Sequence, residues 1–434
     1  MPHRLPLSFI AAAACAALGS DACAAQPPVA GDPYYATRYE RRASVEEMTA
    51  LGRAIFFDRS LSASGKLACA TCHDPARAFG PPNDRPVQAG GPAGAHSGQR
   101  AVPSLRYLQQ VPAFTEHFHE SEGDDGIDQG PTGGHTWDGR ARNVHEQAAI
   151  PLLSPLEMAN TSPGQVVARV AAAPYAAKMR AAFGEHLFGD PAKAFNAITL
   201  SLEVFQQNPA DFHPYDSKFD AWLRGTAPLT PAERRGFALF NDPAKGNCAS
   251  CHPSAVRGGA FPVFTDWGFI ALGVPRNARI PANREASYFD LGLCGPMRTD
   301  LADRKEYCGR FRAPSLRNVA LRRAFFHNGR VASLEDAVRF YVERDTRPAK
   351  WYPRGRDGSP MIFDDLPEAY RGNVNREPPF DRKPGDPPAL DDAQICDVVT
   401  FLRTLTDGYR PGAKAPRPAP RRSPASGRAC AAGD

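Results

Sequence analysis

Gly246-Asn247-Cys248-Ala249-Ser250-Cys251-His252 holds two thiols with two residues between them and an imidazole directly after the second. That spacing attaches c-type haem: both sulfurs reach the porphyrin edge as thioethers, and the adjoining His swings under the ring to give iron an axial nitrogen. A second copy stands upstream at Cys69-Ala70-Thr71-Cys72-His73. Two copies predict two covalently bound haem c groups, with His73 and His252 as iron ligands. Zinc would need four ligands converging, whereas each Cys pair here brings its own His. A thioredoxin-type pair would need a βαβ setting that the surrounding sequence lacks.

Outward from the motifs the chain repeats. Ser44-Val45-Glu46-Glu47 is a capping box that opens a helix with Met48, Leu51 and Ile55 on one face. Thr230-Pro231-Ala232-Glu233 opens another, followed by Phe237, Leu239 and Phe240. Gly52-Arg53-Ala54-Ile55-Phe56-Phe57-Asp58 aligns with Gly236-Phe237-Ala238-Leu239-Phe240-Asn241-Asp242, each ahead of its Cys pair. Further helical patterns cover residues 144–150, 163–183, 192–207, 334–343 and 391–405. Residues 80–135, rich in Gly, Pro, Asp and Ser, and 253–312 read as loop. No stretch alternates as a strand would. The expected fold is mainly α: two cytochrome c-like haem domains with long loops, at 27–224 and 225–408, joined at Gly225-Thr226-Ala227-Pro228. The Pro-, Arg- and Ala-rich tail at 409–434 reads as disordered.

With 42% hydrophobic and 23% charged residues among 434, the chain has the balance of a globular protein with room for two cores. Its net charge of +5 is spread along the sequence, and no basic run is interleaved with aromatics, so nucleic acid is not an expected partner. Residues 1–24 read as a secretory signal: Arg4, an apolar run from Phe9 to Leu18, and Ala22-Cys23-Ala24 as the cleavage site. A lipid anchor on Cys15 or Cys23 is the competing reading, but neither has a Leu three residues earlier. No later stretch approaches the roughly 18 apolar residues of a transmembrane segment. A periplasmic protein is expected, in an oxidising compartment where Cys294 and Cys308 can close a short loop as a disulfide. Cys396, on a helix, and Cys430, in the tail, are left without an assigned partner.

Between the motifs lies His135-Thr136-Trp137-Asp138-Gly139-Arg140-Ala141, followed by Gln147, Pro151 and Glu157-Met158. A carboxylate beside an iron that binds peroxide can take a proton from the near oxygen and return it to the far one, promoting O–O cleavage. Glu157 is the candidate for that acid–base work; a surface glutamate at a helix start is the ordinary alternative.

Together these motifs resemble the bacterial dihaem cytochrome c peroxidase and MauG family over essentially the whole mature chain. The resemblance runs through Leu51-Gly52, Phe57-Asp58, both Cys-His motifs, Trp137 to Ala141, Gln147, Glu157-Met158, Pro314-Ser315-Leu316-Arg317-Asn318-Val319-Ala320 and Phe326-His327-Asn328-Gly329. It implies that hydrogen peroxide meets the His73 haem, that the His252 haem stores or delivers electrons, and that Trp137 couples the two. It also implies that Gln147 and Glu157 lie on the distal side of the first haem. Ordinary peroxidases carry a Met as sixth ligand of the second haem, and MauG-like members a Tyr. Counted from Phe-His-Asn-Gly, that position here is Tyr341, on one helix face with Leu334 and Val338. A phenolate favours oxidised iron where a thioether raises the potential; a buried core Tyr is the alternative.

The resemblance breaks in two places. Where the ordinary peroxidases set a His over the oxidised first haem, this chain has Ala93, with His96 three residues on, so an open first haem is expected. Where the family's interdomain calcium takes an Asn side chain, Ala101 follows Arg100, so calcium would depend on backbone carbonyls and water. Arg140 and Arg317 have the guanidinium geometry that suits haem propionates, with ordinary ion pairs as the alternative. The expected protein is an exported oxidoreductase that reacts with peroxide at the first haem and shares high-valent equivalents with a His252/Tyr341 haem. Its electrons come from a donor redox protein or from side chains of a protein substrate. The reading from another class is a dihaem electron carrier without its own turnover, which would need both irons saturated by protein ligands.

Overall fold

Ser44 caps the first helix as its sequence demands. In the computed structural model, which describes residues 37–119, 128–412 and 430, the Ser44 hydroxyl accepts the Glu47 N–H and the Glu47 carboxylate accepts the Ser44 N–H. This opens α1 (Val45–Phe57). The longer helices that follow are α2 (Val144–Leu153), α3 (Pro163–Ala171), α4 (Ala176–Phe183), α5 (Pro191–Gln206), α6 (Pro231–Asn241), α7 (Leu334–Glu343) and α8 (Asp392–Arg403). The 163–183 pattern, read as one helix, forms two, because Pro174 has no N–H to give the ladder although the apolar periodicity runs on to Phe183. Strand among the described residues amounts to two antiparallel pairs, Ala89–Gly90 with His96–Ser97 and Phe269–Ile270 with Phe311–Arg312. The fold is mainly α. The signal at 1–24 lies outside the described residues.

The aligned heptads are the same helix crossing built twice. A Cβ placed on Gly52 would sit 1.9 Å from the Ser201 carbonyl oxygen, so α1 lies on α5 backbone to backbone. A Cβ on Gly236 would sit 2.0 Å from the Asp397 oxygen, and α6 lies on α8 in the same way. Beside each glycine, aromatic rings interlock: Phe56 with Phe205 at 5.5 Å and Phe240 with Phe401 at 5.2 Å. Each crossing anchors its own apolar cluster, one running from Leu51 to Phe212 in sequence and the other from Phe219 to Leu405. Phe219 packs on Phe264 and Phe401, so the second core begins ahead of Gly225.

Tyr39–Asp434 cluster as one compact unit, and the two halves are tied by charge. Buried Arg100 reaches Asp138 at 2.7 Å and Asp290 at 2.7 Å, and Arg106 reaches Asp407 at 2.7 Å. The expected Cys294–Cys308 disulfide is present. Cys430 is buried and bonded to Cys396 on α8, and its N–H donates to Glu335, so the segment read as a loose tail is pinned at that residue.

Candidate haem and peroxide site

Both Cys pairs close one tight turn, an α-turn at Cys69–Cys72 and a 3-10 turn at Cys248–Ser250. None of these four cysteines is in a disulfide, whereas the other four described cysteines are. No group of three or more His, Cys, Asp or Glu among the described residues is placed to hold a metal ion.

His73 Nδ1 lies 3.0 Å from the Phe79 carbonyl and His252 Nδ1 lies 2.8 Å from the Phe264 carbonyl. A carbonyl only accepts, so Nδ1 carries the proton in each ring and Nε2 is the nitrogen left for iron. Burial pushes both imidazoles down to about 4, keeping them neutral as ligation requires. Phe79 and Phe264 turn these carbonyls inward by adopting φ of 54° and 56°. The same two carbonyls accept the N–H of Leu105 and of Leu316. Leu105 sits in Pro103-Ser104-Leu105-Arg106 and Leu316 in Pro314-Ser315-Leu316-Arg317, and Ser104 and Ser315 each donate to a backbone oxygen at 2.6 Å, of Ala78 and Val263. Sequence reasoning used only the second copy; the identical tetrapeptide at 103–106 was the signal it missed.

His252, Tyr341 and Trp137 line one cleft. α7 aims Leu334, Val338 and Tyr341 at it, and burial, followed by nearby Cys251 and Cys248, drives the Tyr341 phenol well above its usual range. Arg312 and Arg322 line the cleft too. Their guanidiniums donate to backbone carbonyls of Gly134, Val102 and Ala324, and no carboxylate pairs with either among the described residues. Burial pushes both down to about 10. His327 Nε2, also on this wall, is buried without a hydrogen bond, with Asp365 3.6 Å away. Enclosed cations without a counter-charge are costly, and haem propionates supply that charge, so the residues present fit the group. Arg140 and Arg317, for which the sequence left haem propionates and ordinary ion pairs both open, are in ion pairs. Arg140 pairs with Asp138 at 2.7 Å, and buried Arg317 grips Asp220 through two bonds of 2.8 and 2.9 Å.

The other walls of the two sites are also repeats of each other. Residues 135–141 and 325–331 form the same bridged turn, with positive φ at Thr136 and Phe326 and again at Gly139 and Gly329. Each turn feeds a ten-residue helix, α2 capped by Asn143 and α7 capped by Ser333. In that register Gln147 falls on Ala337 and Pro151 falls on Tyr341. Glu157 follows α2 in a turn fixed by Gly91, whose N–H donates to the Glu157 carbonyl at 2.7 Å. Its side chain is exposed, yet desolvation by the surrounding protein raises its carboxyl, with Arg140 opposing. Its charge acts on Cys72 and Cys69, which sets it beside the first attachment turn. Gln147 is half-buried on α2. Trp137 is buried, its indole N–H donating to the Ala101 carbonyl at 2.7 Å and its own carbonyl accepting the Arg312 N–H. His96 is exposed in its hairpin, folded over Gly91.

A family model described as di-haem cytochrome c peroxidase matches residues 46–228. The methylamine utilization protein MauG of Paracoccus denitrificans is 34% identical over 384 residues, 86% of this chain and 92% of that one. The chain belongs to the dihaem cytochrome c peroxidase and MauG family. Within the family, the cytochrome c551 peroxidase of Pseudomonas aeruginosa is 30% identical over 337 residues, 77% of this chain and 82% of its own length. The structure of the dihaem peroxidase BthA from Burkholderia thailandensis matches with a TM-score of 0.75 at 37% identity, covering 89% of this chain and 93% of that one. As a family member this protein is a dihaem peroxidase or MauG-like oxidoreductase carrying two c-type haems. No helix among the described residues is long and apolar enough to cross a membrane.

Proposed function

We propose that this family member is an exported, periplasmic enzyme of the MauG-like branch. Hydrogen peroxide reacts on the His73 side, and the oxidising equivalents are shared through Trp137 with a His252/Tyr341 side. The observation that carries this is Pro151 in the register of Tyr341. A proline side chain has no lone pair to offer, so α2 would leave a haem held by Cys69, Cys72 and His73 open to an outside ligand, whereas α7 would offer the Tyr341 phenol to a haem held by Cys248, Cys251 and His252. Haem, when bound, supplies redox-active iron within a π system that both Cys pairs hold in place.

The chain's own work follows from its geometry. Gln147 lends an amide to orient the peroxide. Glu157 takes a proton from the inner peroxide oxygen and delivers it to the outer one, so that the O–O bond breaks with the outer oxygen leaving as water, and the two oxidising equivalents would pass to the bound cofactor. Trp137 is held rigid by its bond to Ala101, a fixed bridge on the wall between the two sites. The half built on the core from Leu51 to Phe212 is then the peroxide-reacting one, and the half built on the core from Phe219 to Leu405 the electron-storing one. Calcium at their junction would rest on backbone carbonyls near Ala101. The electron source is a redox protein or aromatic side chains of a protein substrate, and a phenol at Tyr341 favours the second. The dihaem electron-carrier reading needs a protein ligand where Pro151 stands. Anaerobic titration of the holoprotein with hydrogen peroxide tests the proposal: a stoichiometric change in the haem absorption bands is expected, and bands unmoved by peroxide would refute it.

A further inference from the structure

The two Pro-Ser-Leu-Arg copies end differently, the first on Tyr107 and the second on Asn318, and both turn to one carboxylate. Tyr107 Oη donates to Asp407 Oδ1 at 2.5 Å, while Asn318 and Arg106 hold Asp407 Oδ2 at 2.7 Å each. Tyr107 is fully buried, and its ring meets Tyr215 edge-on with centroids 5.0 Å apart. Tyr215 is half-buried, and its hydroxyl accepts from Gln109.

Chains of packed residues lead from this pair toward both proximal histidines. The Tyr107 N–H donates to the Phe212 carbonyl at 2.9 Å, and the Phe212 ring stacks at 4.2 Å on Phe79, whose carbonyl holds His73. On the other side the Arg317 guanidinium lies 4.6 Å from both tyrosine centroids and 5.8 Å from Phe264, whose carbonyl holds His252.

We propose that Tyr107 and Tyr215 form a redox relay leading from the haem pair to the surface, with Asp407 as the proton acceptor of Tyr107. Trp137 joins one haem side to the other; this pair leads outward. The relay rests on the peroxidase reading above, which supplies its oxidant. A guanidinium over both rings opposes positive charge on them, so oxidation has to shed the phenolic proton, and Asp407 is hydrogen-bonded to receive it. One electron leaves the Tyr107 ring and reduces the peroxide-oxidised haem centre by one equivalent. The phenolic proton crosses to Asp407 Oδ1, leaving a neutral tyrosyl radical. Tyr215 then gives an electron to Tyr107 as the proton returns from Asp407, and Tyr215 loses its own proton to solvent at its accessible edge. A one-electron donor outside the protein, with a proton from solvent, restores Tyr215.

The test is freeze-quench electron paramagnetic resonance on the holoprotein after hydrogen peroxide. A tyrosyl signal is expected in the wild type and lost in Tyr107→Phe, which keeps the ring and its stacking, and in Asp407→Asn, which removes the proton acceptor; haem absorption reports retained folding. Should either variant lose its haem, spin-trap adducts mapped by peptide mass spectrometry on the wild type decide: adducts on Tyr215 support the relay, and adducts on neither tyrosine overturn it. A signal undiminished in Tyr107→Phe, or none in a wild type whose haem bands respond to peroxide, also overturns it while leaving the peroxidase reading intact. Haem bands that ignore peroxide sink both.

Discussion

The two halves of this molecule share a scaffold and part company on one helix. Both cross a glycine-bearing helix against a partner at Gly52 and Gly236. Both tether the proximal His to a Phe carbonyl, and both approach the opposite wall through the same bridged turn. The eighth residue of the ten-residue helix is then Pro151 in one half and Tyr341 in the other. Duplication thus supplies two matching scaffolds, and under the proposed function substitution on a single helix face would make one side reactive and the other a reservoir. The residue after Pro-Ser-Leu-Arg diverges in the same way, Tyr107 against Asn318.

The strongest way to sharpen the contrast is Glu157→Gln, since the second half has no counterpart to Glu157. Stopped-flow reaction with peroxide should slow by about 10²-fold or more, with haem content kept; normal kinetics would remove Glu157 from the mechanism. The carboxylate is the proton-accepting form and desolvation by the surrounding protein raises its pKa, so the wild-type rate should fall as pH drops through that raised value. The glutamine variant should lose this inflection. Next, Tyr341→Met should raise the potential of the second haem alone, by on the order of 100 mV given the roughly 0.8 V range that axial ligands command. An unchanged potential in spectroelectrochemistry would mean that Tyr341 is core packing.

Two smaller effects test the shared scaffold. Gly52→Ala and Gly236→Ala each drive a methyl into a carbonyl and should each cost about 1–3 kcal/mol in thermal unfolding of the holoprotein. A large cost at one and none at the other would break the equivalence of the crossings. Removing the caps, Asn143→Ala and Ser333→Ala, should each cost about 1 kcal/mol by the same measurement.

What could be read from the sequence was what is local. The boxes at Ser44 and Thr230, the Cys-His turns and the face carrying Tyr341 depend on residues within a few positions of one another, and each was legible. The break at Pro174 was signalled by the proline itself but masked by apolar periodicity on both sides. The choice between propionate and ion pair for Arg317 could not be made from sequence, because its partner Asp220 is 97 positions away and no spacing announces such a pair. Arg312 and Arg322 stand out only once their lack of a carboxylate is visible in space. The Cys396–Cys430 bond was hidden for the same reason, as was the meeting of Tyr107 and Asn318 on Asp407. The register of Pro151 on Tyr341 needed only the two caps, Asn143 and Ser333, to be aligned.

That register is the central claim, and low-temperature electron paramagnetic resonance of the ferric, peroxide-free holoprotein tests it most directly. One high-spin and one low-spin haem in equal amounts are expected, the first facing Pro151 and the second bound by Tyr341. Two low-spin haems would contradict the account.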